Sequence, residues 1–296
     1  MKTICNNVRV LTAPNPGPMT LSGTNTYIIG SKRDLCILDP GPDIEKHYSI
    51  LKALLKKEKG SHILVSHAHM DHSSMAKRLS KEFTIPIYAH GNLLNSRSEY
   101  VKKILKSSKD LGGLEGIDQD FSPDVYLSGG EILTSRDWSL EVIYTPGHLS
   151  DHLSFSLEKE GVLFSGDIVM GWTSTLISPP DGDDGQYYLS LEKLLKRSED
   201  VYFPGHGHKI ENARKYVSSL KKHRLKREIQ ILDLLREKKA SSIELAKFIY
   251  GGLSDFVVIA GTRNVLAHLI NLLERNLVSC DEPISPNTIF TTNDNT

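Results

Sequence analysis

Ser66-His67-Ala68-His69-Met70-Asp71-His72 decides the reading of this chain. The apolar run His62-Ile63-Leu64-Val65 leads into it, and a helix-patterned stretch from Ser74 to Phe83 leads away. In extended backbone alternate side chains share a face, so His67 and His69 point the same way. The chain must then bend, which lets Asp71 and His72 reach a neighbouring position. Neutral imidazoles with a carboxylate are the donor set of zinc and similar divalent ions.

Working outward, three later segments repeat one device: Thr145-Pro146-Gly147-His148, Phe164-Ser165-Gly166-Asp167 and Phe203-Pro204-Gly205-His206-Gly207. Each closes a strand-like run with one ligand-type side chain, next to a glycine that permits close backbone approach. Taken singly, a strand-end Asp or His is an ordinary cap or turn residue. Four such segments in this order read as one metal site. Five of the twelve histidines fall in them.

The surrounding pattern is strand and helix in alternation, which predicts α/β layers. Thr26–Ile29 and Leu35–Leu38 read as strands joined by the turn 30–34, and Asp39-Pro40-Gly41-Pro42 stops the second. Residues 43–58 read as a helix, 85–89 as a strand and 106–130 as a long loop. Strands resume at 139–144, 152–157 and 161–165. A second loop, 171–186, carries Trp172, and a helix over 189–197 and a strand over 200–203 follow. Residues 209–239 hold eleven Lys/Arg against four Asp/Glu. Ser241-Ser242-Ile243-Glu244 is a capping box opening a helix to Tyr250. Val265, Leu266, Leu269, Ile270, Leu272 and Leu273 predict a second helix over 262–276. The division expected is a hydrolase domain over 1–218, a helical module over 219–283 and a mobile polar tail over 284–296.

The four segments resemble the metallo-β-lactamase superfamily: His67, His69, Asp71 and His72 match its HxHxDH motif, His148 its later histidine, Asp167 its bridging Asp and His206 its last histidine. Gly23-Thr24-Asn25-Thr26-Tyr27, the run from Thr145 to His152, 202–207 and 222–232 are most similar to the β-lactamase-like protein 2 group. The resemblance implies a four-layer αβ/βα sandwich, and in that group a small winged-helix module follows. It implies two metal ions, one on His67, His69 and His148, the other on Asp71, His72 and His206, with Asp167 between them. Zinc suits the donors best, with iron or manganese compatible. A hydroxide bridging two such ions would attack an ester-like bond, with Asp71 and Asp167 the catalytic carboxylates. Asn25, His152, Trp172 and His208 are the expected substrate or supporting contacts.

For the substrate, the group resemblance implies an endoribonuclease acting on single-stranded RNA, and the basic segment 209–239 agrees with phosphate binding. A thioester hydrolase of glyoxalase II type is the alternative. A non-catalytic metal-bound interaction module is the third reading. The module 241–279 balances Lys247, Arg263 and Arg275 against Glu244, Asp255 and Glu274, which suits packing or homodimer contacts better than nucleic acid. In composition, 36 Lys plus Arg cancel 36 Asp plus Glu over 296 residues, which excludes a uniformly basic chain. Cys5, Cys36 and Cys280 are too few for a disulfide framework. With no signal-peptide pattern and no membrane-length apolar run, a cytoplasmic enzyme is the expectation.

Overall fold

The computed structural model describes residues 1–31, 34–108, 111–281 and 283–293. Lys32 and Arg33 of the expected turn, Lys109 and Asp110 of the expected loop, and the last three residues of the expected tail lie outside these. The first half builds a seven-stranded sheet in sequence order: β1 (Lys2–Cys5), β2 (Val8–Thr12), β3 (Asn25–Ile29), β4 (Leu35–Leu38), β5 (Gly60–Leu64), β6 (Ile87–Ala89) and β7 (Val125–Tyr126). β1 to β4 pair antiparallel, and β4 to β7 pair parallel. The parallel connections require crossovers. These carry α1 (Glu45–Leu55), α2 (Met70–Ser73), α3 (Ala76–Phe83), α4 (Leu93–Ser96) and α5 (Glu99–Ser107).

The second sheet has the order β13-β12-β11-β10-β9-β8. Its strands are β8 (Ile132–Thr134), β9 (Ser139–Tyr144), β10 (Leu153–Leu157), β11 (Val162–Gly166), β12 (Val201–Pro204) and β13 (Ile210–Glu211), with α6 (Asp184–Leu195) crossing between β11 and β12. Only β11 and β12 run parallel among the described pairs. The period of two in each strand sorts its side chains into different cores. Tyr27, Ile29, Cys36, Leu38 and Leu64 meet Val142, Phe155, Phe164 and Phe203 between the sheets. Ile28, Ile37 and Ile63 face α1 and α3 instead. Leu163 and Tyr202 face α6 and the helix that follows β13. Each such fully buried aliphatic or aromatic side chain is worth about 1.5–3 kcal/mol. The result is the expected helix–sheet–sheet–helix sandwich.

The remaining elements are α7 (Ala213–Glu237), β14 (Ala240–Ser241), α8 (Ser242–Tyr250), α9 (Asp255–Glu274), β15 (Val278–Cys280) and β16 (Ile289–Thr292). The expected boundary at 218/219 falls inside α7, which serves both cores. Ala213, Val217 and Leu220 pack on the second sheet, whereas Ile231 and Leu235 pack in the C-terminal core with Leu266, Leu269 and Phe290. The capping box at Ser241 and Glu244 forms as expected.

The tail expectation needs correction over 284–293. β16 is the central strand of a three-stranded sheet, β14-β16-β15, and Ile284 and Phe290 are fully buried. Two apolar side chains in a polar stretch anchor it. The 106–130 stretch is also less irregular than expected, since β7 pairs with β6 inside it. α9 starts at Asp255, ahead of the expected position, and it is long and apolar enough to cross a membrane by length and composition. Its C-terminal half is core instead: Val265, Leu266, Leu269 and Leu272 are fully buried in the C-terminal module.

Candidate metal centre

The carboxyl ends of β5, β9, β11 and β12 converge on one cleft, and the loops that leave them carry the seven side chains singled out by the sequence. After β5 the chain bends at Ser66, His67 and Ala68 before His69, the extended N-cap of α2, and His67 and His69 nevertheless meet at their ring nitrogens. The short α2 then turns Asp71 and His72 back toward the same space. His67 Nε2 lies 2.9 Å from His69 Nδ1, and His69 Nδ1 lies 3.0 Å from His148 Nε2. On the other side His72 Nε2 is 3.3 Å from His206 Nε2, which in turn is 3.3 Å from Asp71 Oδ2 and from Asp167 Oδ2. Asp167 sits between the two groups, its Oδ1 3.6 Å from His72 and its Oδ2 3.8 Å from His148.

The outward ring nitrogens fix the tautomers. His148 Nδ1 is 2.8 Å from the Leu176 carbonyl, which can only accept, so that nitrogen carries the proton. His206 Nδ1 faces the Gly23 carbonyl in the same way. Ser66 Oγ donates to Asp39 Oδ2 and therefore accepts from His67 Nδ1. The inward nitrogens of His67 and His148 thus both present lone pairs to His69 Nδ1, at 2.9 and 3.0 Å, and that nitrogen can donate to only one of them. Facing lone pairs repel, and Asp167 Oδ1 is buried without a donor among the described residues. A cation held among these groups would relieve that repulsion and partner the Asp167 oxygen. Three overlapping donor groups, His67/His69/His148, His67/His72/Asp167 and Asp71/His72/His206, have geometry that could hold one.

Electrostatics agrees with that division. Burial, reinforced by the neighbouring imidazoles, holds His67 well below its ordinary range, and burial with His148 pushes His69 down to about 3. Both are neutral at pH 7, the state in which an imidazole can take a metal. Burial opposes charge on His72 too, but Asp71, Asp167 and Asp39 outweigh it and push that imidazole up to about 10. His72 therefore favours its protonated form without a metal, and coordination of an ion there would release that proton. For Asp167 burial is likewise overcome by His206 and His72, which keep its carboxyl well below the usual range.

Asp39 is the residue that sequence reading misses. Asp39-Pro40-Gly41-Pro42 presents itself only as a strand stop, yet Asp39 Oδ2 lies 3.0 Å from His72 Nδ1, and its carboxylate accepts from both Ser66 N and Ser66 Oγ. Its positive φ, 50°, is the backbone cost of aiming it inward. An Asp after an apolar strand that pairs with the motif strand is the available signal. Thr24 is also missed: its hydroxyl donates to Asp71 Oδ2 at 2.8 Å. Gly205 is a close-approach site, since a Cβ there would lie 2.3 Å from Asp167 Oδ1.

The four expected contacts separate. His152 Nε2 accepts from the backbone N–H of Asp167 at 3.0 Å, and its Nδ1 meets Thr145 Oγ1, so it braces the turn that carries Asp167. Asn25 faces away from the cleft. Its amide donates to the Pro204 and Gly207 carbonyls and ties β3 to the turn that bears His206. Trp172 lies against Gly207 and does not line the cleft; the 171–186 loop contributes Leu176, Ser178 and Asp181 in its place. His208 is exposed and lines a separate groove with Lys2 and Lys209. The glycine turns at 205 and 207 send neighbouring side chains to opposite sides, which spacing alone does not reveal.

The metallo-beta-lactamase superfamily model matches residues 19–206. The chain belongs to that superfamily. A Beta-lactamase-like protein 2 homolog of Caenorhabditis elegans is 30% identical over 272 residues, covering 89% of this chain and 83% of that protein. An atrochrysone carboxyl ACP thioesterase of Aspergillus fumigatus is 28% identical over 263 residues, covering 83% and 74%. In structure, a metallo-beta-lactamase family protein from Thermus thermophilus superimposes with a TM-score of 0.77 at 22% identity, over 97% of this chain and 99% of that one. The chain is accordingly a superfamily hydrolase with clustered His and Asp groups suited to divalent metal.

The cavity above these groups has a volume of about 390 Å³, within the range of small-molecule sites. Met19, Ile117, Leu149, Met170 and Leu176 wall it from the hydrolase domain, and Phe256, Ile259, Ala260 and Arg263 of α9 complete it. Among the described residues, none of α7 lines it. Arg263 is the only Lys or Arg among the described lining residues. Its guanidinium is committed: Nε donates to Ser178 Oγ at 2.8 Å, Nη1 to the Leu111 carbonyl at 2.7 Å and Nη2 to the Pro179 carbonyl.

Proposed function

We propose that this protein is a binuclear metal-dependent hydrolase of acyl esters, with thioesters the preferred class. His67, His69 and His148 would hold one divalent ion, Asp71, His72 and His206 the other, with Asp167 between. All-His/Asp donors suit zinc and admit iron or manganese. When bound, such ions would lower the pKa of a water and polarise the scissile carbonyl. The protein's own part is to fix the donors. Asp39 orients His72, Ser66 orients His67, Leu176 orients His148, Thr24 holds the Asp71 carboxylate, and His152 braces the turn that carries Asp167. Asp71, the more open of the two carboxylates, would align the attacking water and accept its proton.

One observation carries the choice of substrate: the cleft is largely apolar, and the one guanidinium among its described lining residues is held at all three nitrogens by Ser178 and two backbone carbonyls. A polynucleotide brings a charge with every residue and needs several uncommitted Lys or Arg along its path. Here Glu115 and Asp181 line the cleft instead, and the basic residues of 209–239 lie outside it. The name of the Aspergillus relative, a thioesterase, supports the same class. The order helix–strand–helix–helix–strand–strand supports a winged-helix-like C-terminal module, used here for packing on the hydrolase domain.

The test is a direct comparison on zinc-, iron- and manganese-loaded protein. Acetyl- and hexanoyl-N-acetylcysteamine, S-lactoylglutathione and a single-stranded RNA oligomer are incubated with and without chelator. Turnover of a thioester that chelation abolishes supports the reading. RNA cleavage without thioester turnover overturns the substrate class, and turnover of neither by fully loaded protein overturns hydrolysis altogether.

A further inference from the structure

The N-terminal half of α9 is unusual for a soluble helix. Phe256-Val257-Val258-Ile259-Ala260 is a continuous apolar run, yet Phe256 is 44% and Ile259 66% exposed, and Leu253 just before them is 58% exposed. Single exposed apolar side chains are common, but a cluster marks a binding surface. These residues open onto the metal cavity: Phe256, Ile259 and Ala260 share its lining with His69, His148, Asp71 and Asp167. Met19, 40% exposed, and Met170 also line it, and methionines adapt to varied apolar shapes. The run is held in place from below. Arg263, one turn further along α9, is bonded to both flanking loops, through Leu111 on one and Ser178 and Pro179 on the other.

We infer that this half of α9 is the acyl-chain wall of the active site, so that the C-terminal module sets chain-length specificity through Phe256 and Ile259. The inference rests on the acyl-hydrolase reading above. The occupant is a flexible hydrocarbon chain attached to the scissile carbonyl, for a positional reason. One cavity holds both the metal donors and the exposed Phe256 and Ile259, so a chain whose carbonyl lies at the donors extends along those side chains. Burying a methylene changes affinity about fourfold, so kcat/KM should climb steeply from acetyl to decanoyl thioesters.

Two measurements test this on the full chain. The first is kcat/KM for acetyl-, hexanoyl- and decanoyl-N-acetylcysteamine with wild type and Phe256→Gln/Ile259→Gln. Both side chains are exposed, so the core does not depend on them. The variant should lose about 10- to 100-fold on decanoyl and less than about twofold on acetyl. The second uses metal-free protein and the non-hydrolysable thioether S-decyl-N-acetylcysteamine, whose binding by calorimetry should weaken at least about tenfold in the variant, while S-ethyl-N-acetylcysteamine shows no difference. Equal loss on every chain length, or unchanged thioether binding, overturns the inference. If no thioester is hydrolysed but the thioether still binds along α9, the hydrolase reading fails and the wall stands.

Discussion

Asp39 and His72 are joined at 3.0 Å across the start of the metal cleft, and the same carboxylate also accepts both the N–H and the hydroxyl of Ser66. One side chain thereby orients His72 directly and His67 through Ser66. Candidate donors in both halves of the site thus depend on a residue outside the clustered donor groups. Removing such an outer partner characteristically costs 10- to 100-fold in metal affinity. Asp39→Ala should show about that loss in competition with a chelator, with far-ultraviolet circular dichroism unchanged. Metal affinity equal to wild type would refute the orienting role.

Asp167 should behave differently in degree. Its oxygens approach His72, His148 and His206, so it reaches donors of both halves. Asp167→Ala should lower metal content below two per chain, measured by elemental analysis. It should also reduce thioester turnover by more than about 100-fold, beyond the range of an outer-partner change. Full occupancy in the variant would argue against a position between the two ions.

How much of this is legible in the sequence depends on whether the chemistry is local. The donor cluster can be read because His67, His69, Asp71 and His72 lie in one short stretch after β5 and His148, Asp167 and His206 each follow a strand closely. The sandwich can be read because Tyr27/Ile28/Ile29 and Cys36/Ile37/Leu38 are short buried runs. Asn25 and His208 are misplaced by spacing because Asn25 in β3 is claimed by the Pro204 and Gly207 carbonyls and the positive-φ Gly207 separates His208 from His206. Phe256 and Arg263 are invisible as site residues, since they reach the cleft only through the packing of α9 on loops distant in sequence. The same holds for Phe290, whose strand has meaning only between β14 and β15.

Arg263 anchors the module to the hydrolase domain through one backbone carbonyl on the Leu111 loop and two groups of the 171–186 loop. Hydrogen bonds from a charged donor are worth about 1.5–3 kcal/mol each when their partners are left buried, less when water replaces the donor. Arg263→Ala should therefore lower stability in urea by about 2 kcal/mol, the middle of that range for a single such bond. More tellingly, it should raise amide exchange in 111–117 and 255–262 while leaving the sheets protected. Uniform exchange changes, or none, would show that Arg263 does not fasten the cleft walls.

The deepest link between module and hydrolase domain is electrostatic. Asp184 at the start of α6 is buried against Arg224 of α7, at 2.6 Å from Nη2 and 2.8 Å from Nε, and against His268 of α9 at 2.9 Å. Burial alone would raise its pKa, but Arg224 and His268 outweigh this and hold the carboxyl far below the usual range. The folded pKa is thus below the unfolded value of about 3.9, so the stabilisation is complete above about pH 4 and is lost as pH falls toward the folded pKa. Removing one partner of a buried pair costs about 3–5 kcal/mol because the other charge is stranded. Asp184→Asn should be destabilised by about that amount in urea at pH 7, and the gap to wild type should narrow as the measurement moves to about pH 3, below the unfolded pKa. A gap independent of pH would mean that shape rather than charge joins α6, α7 and α9.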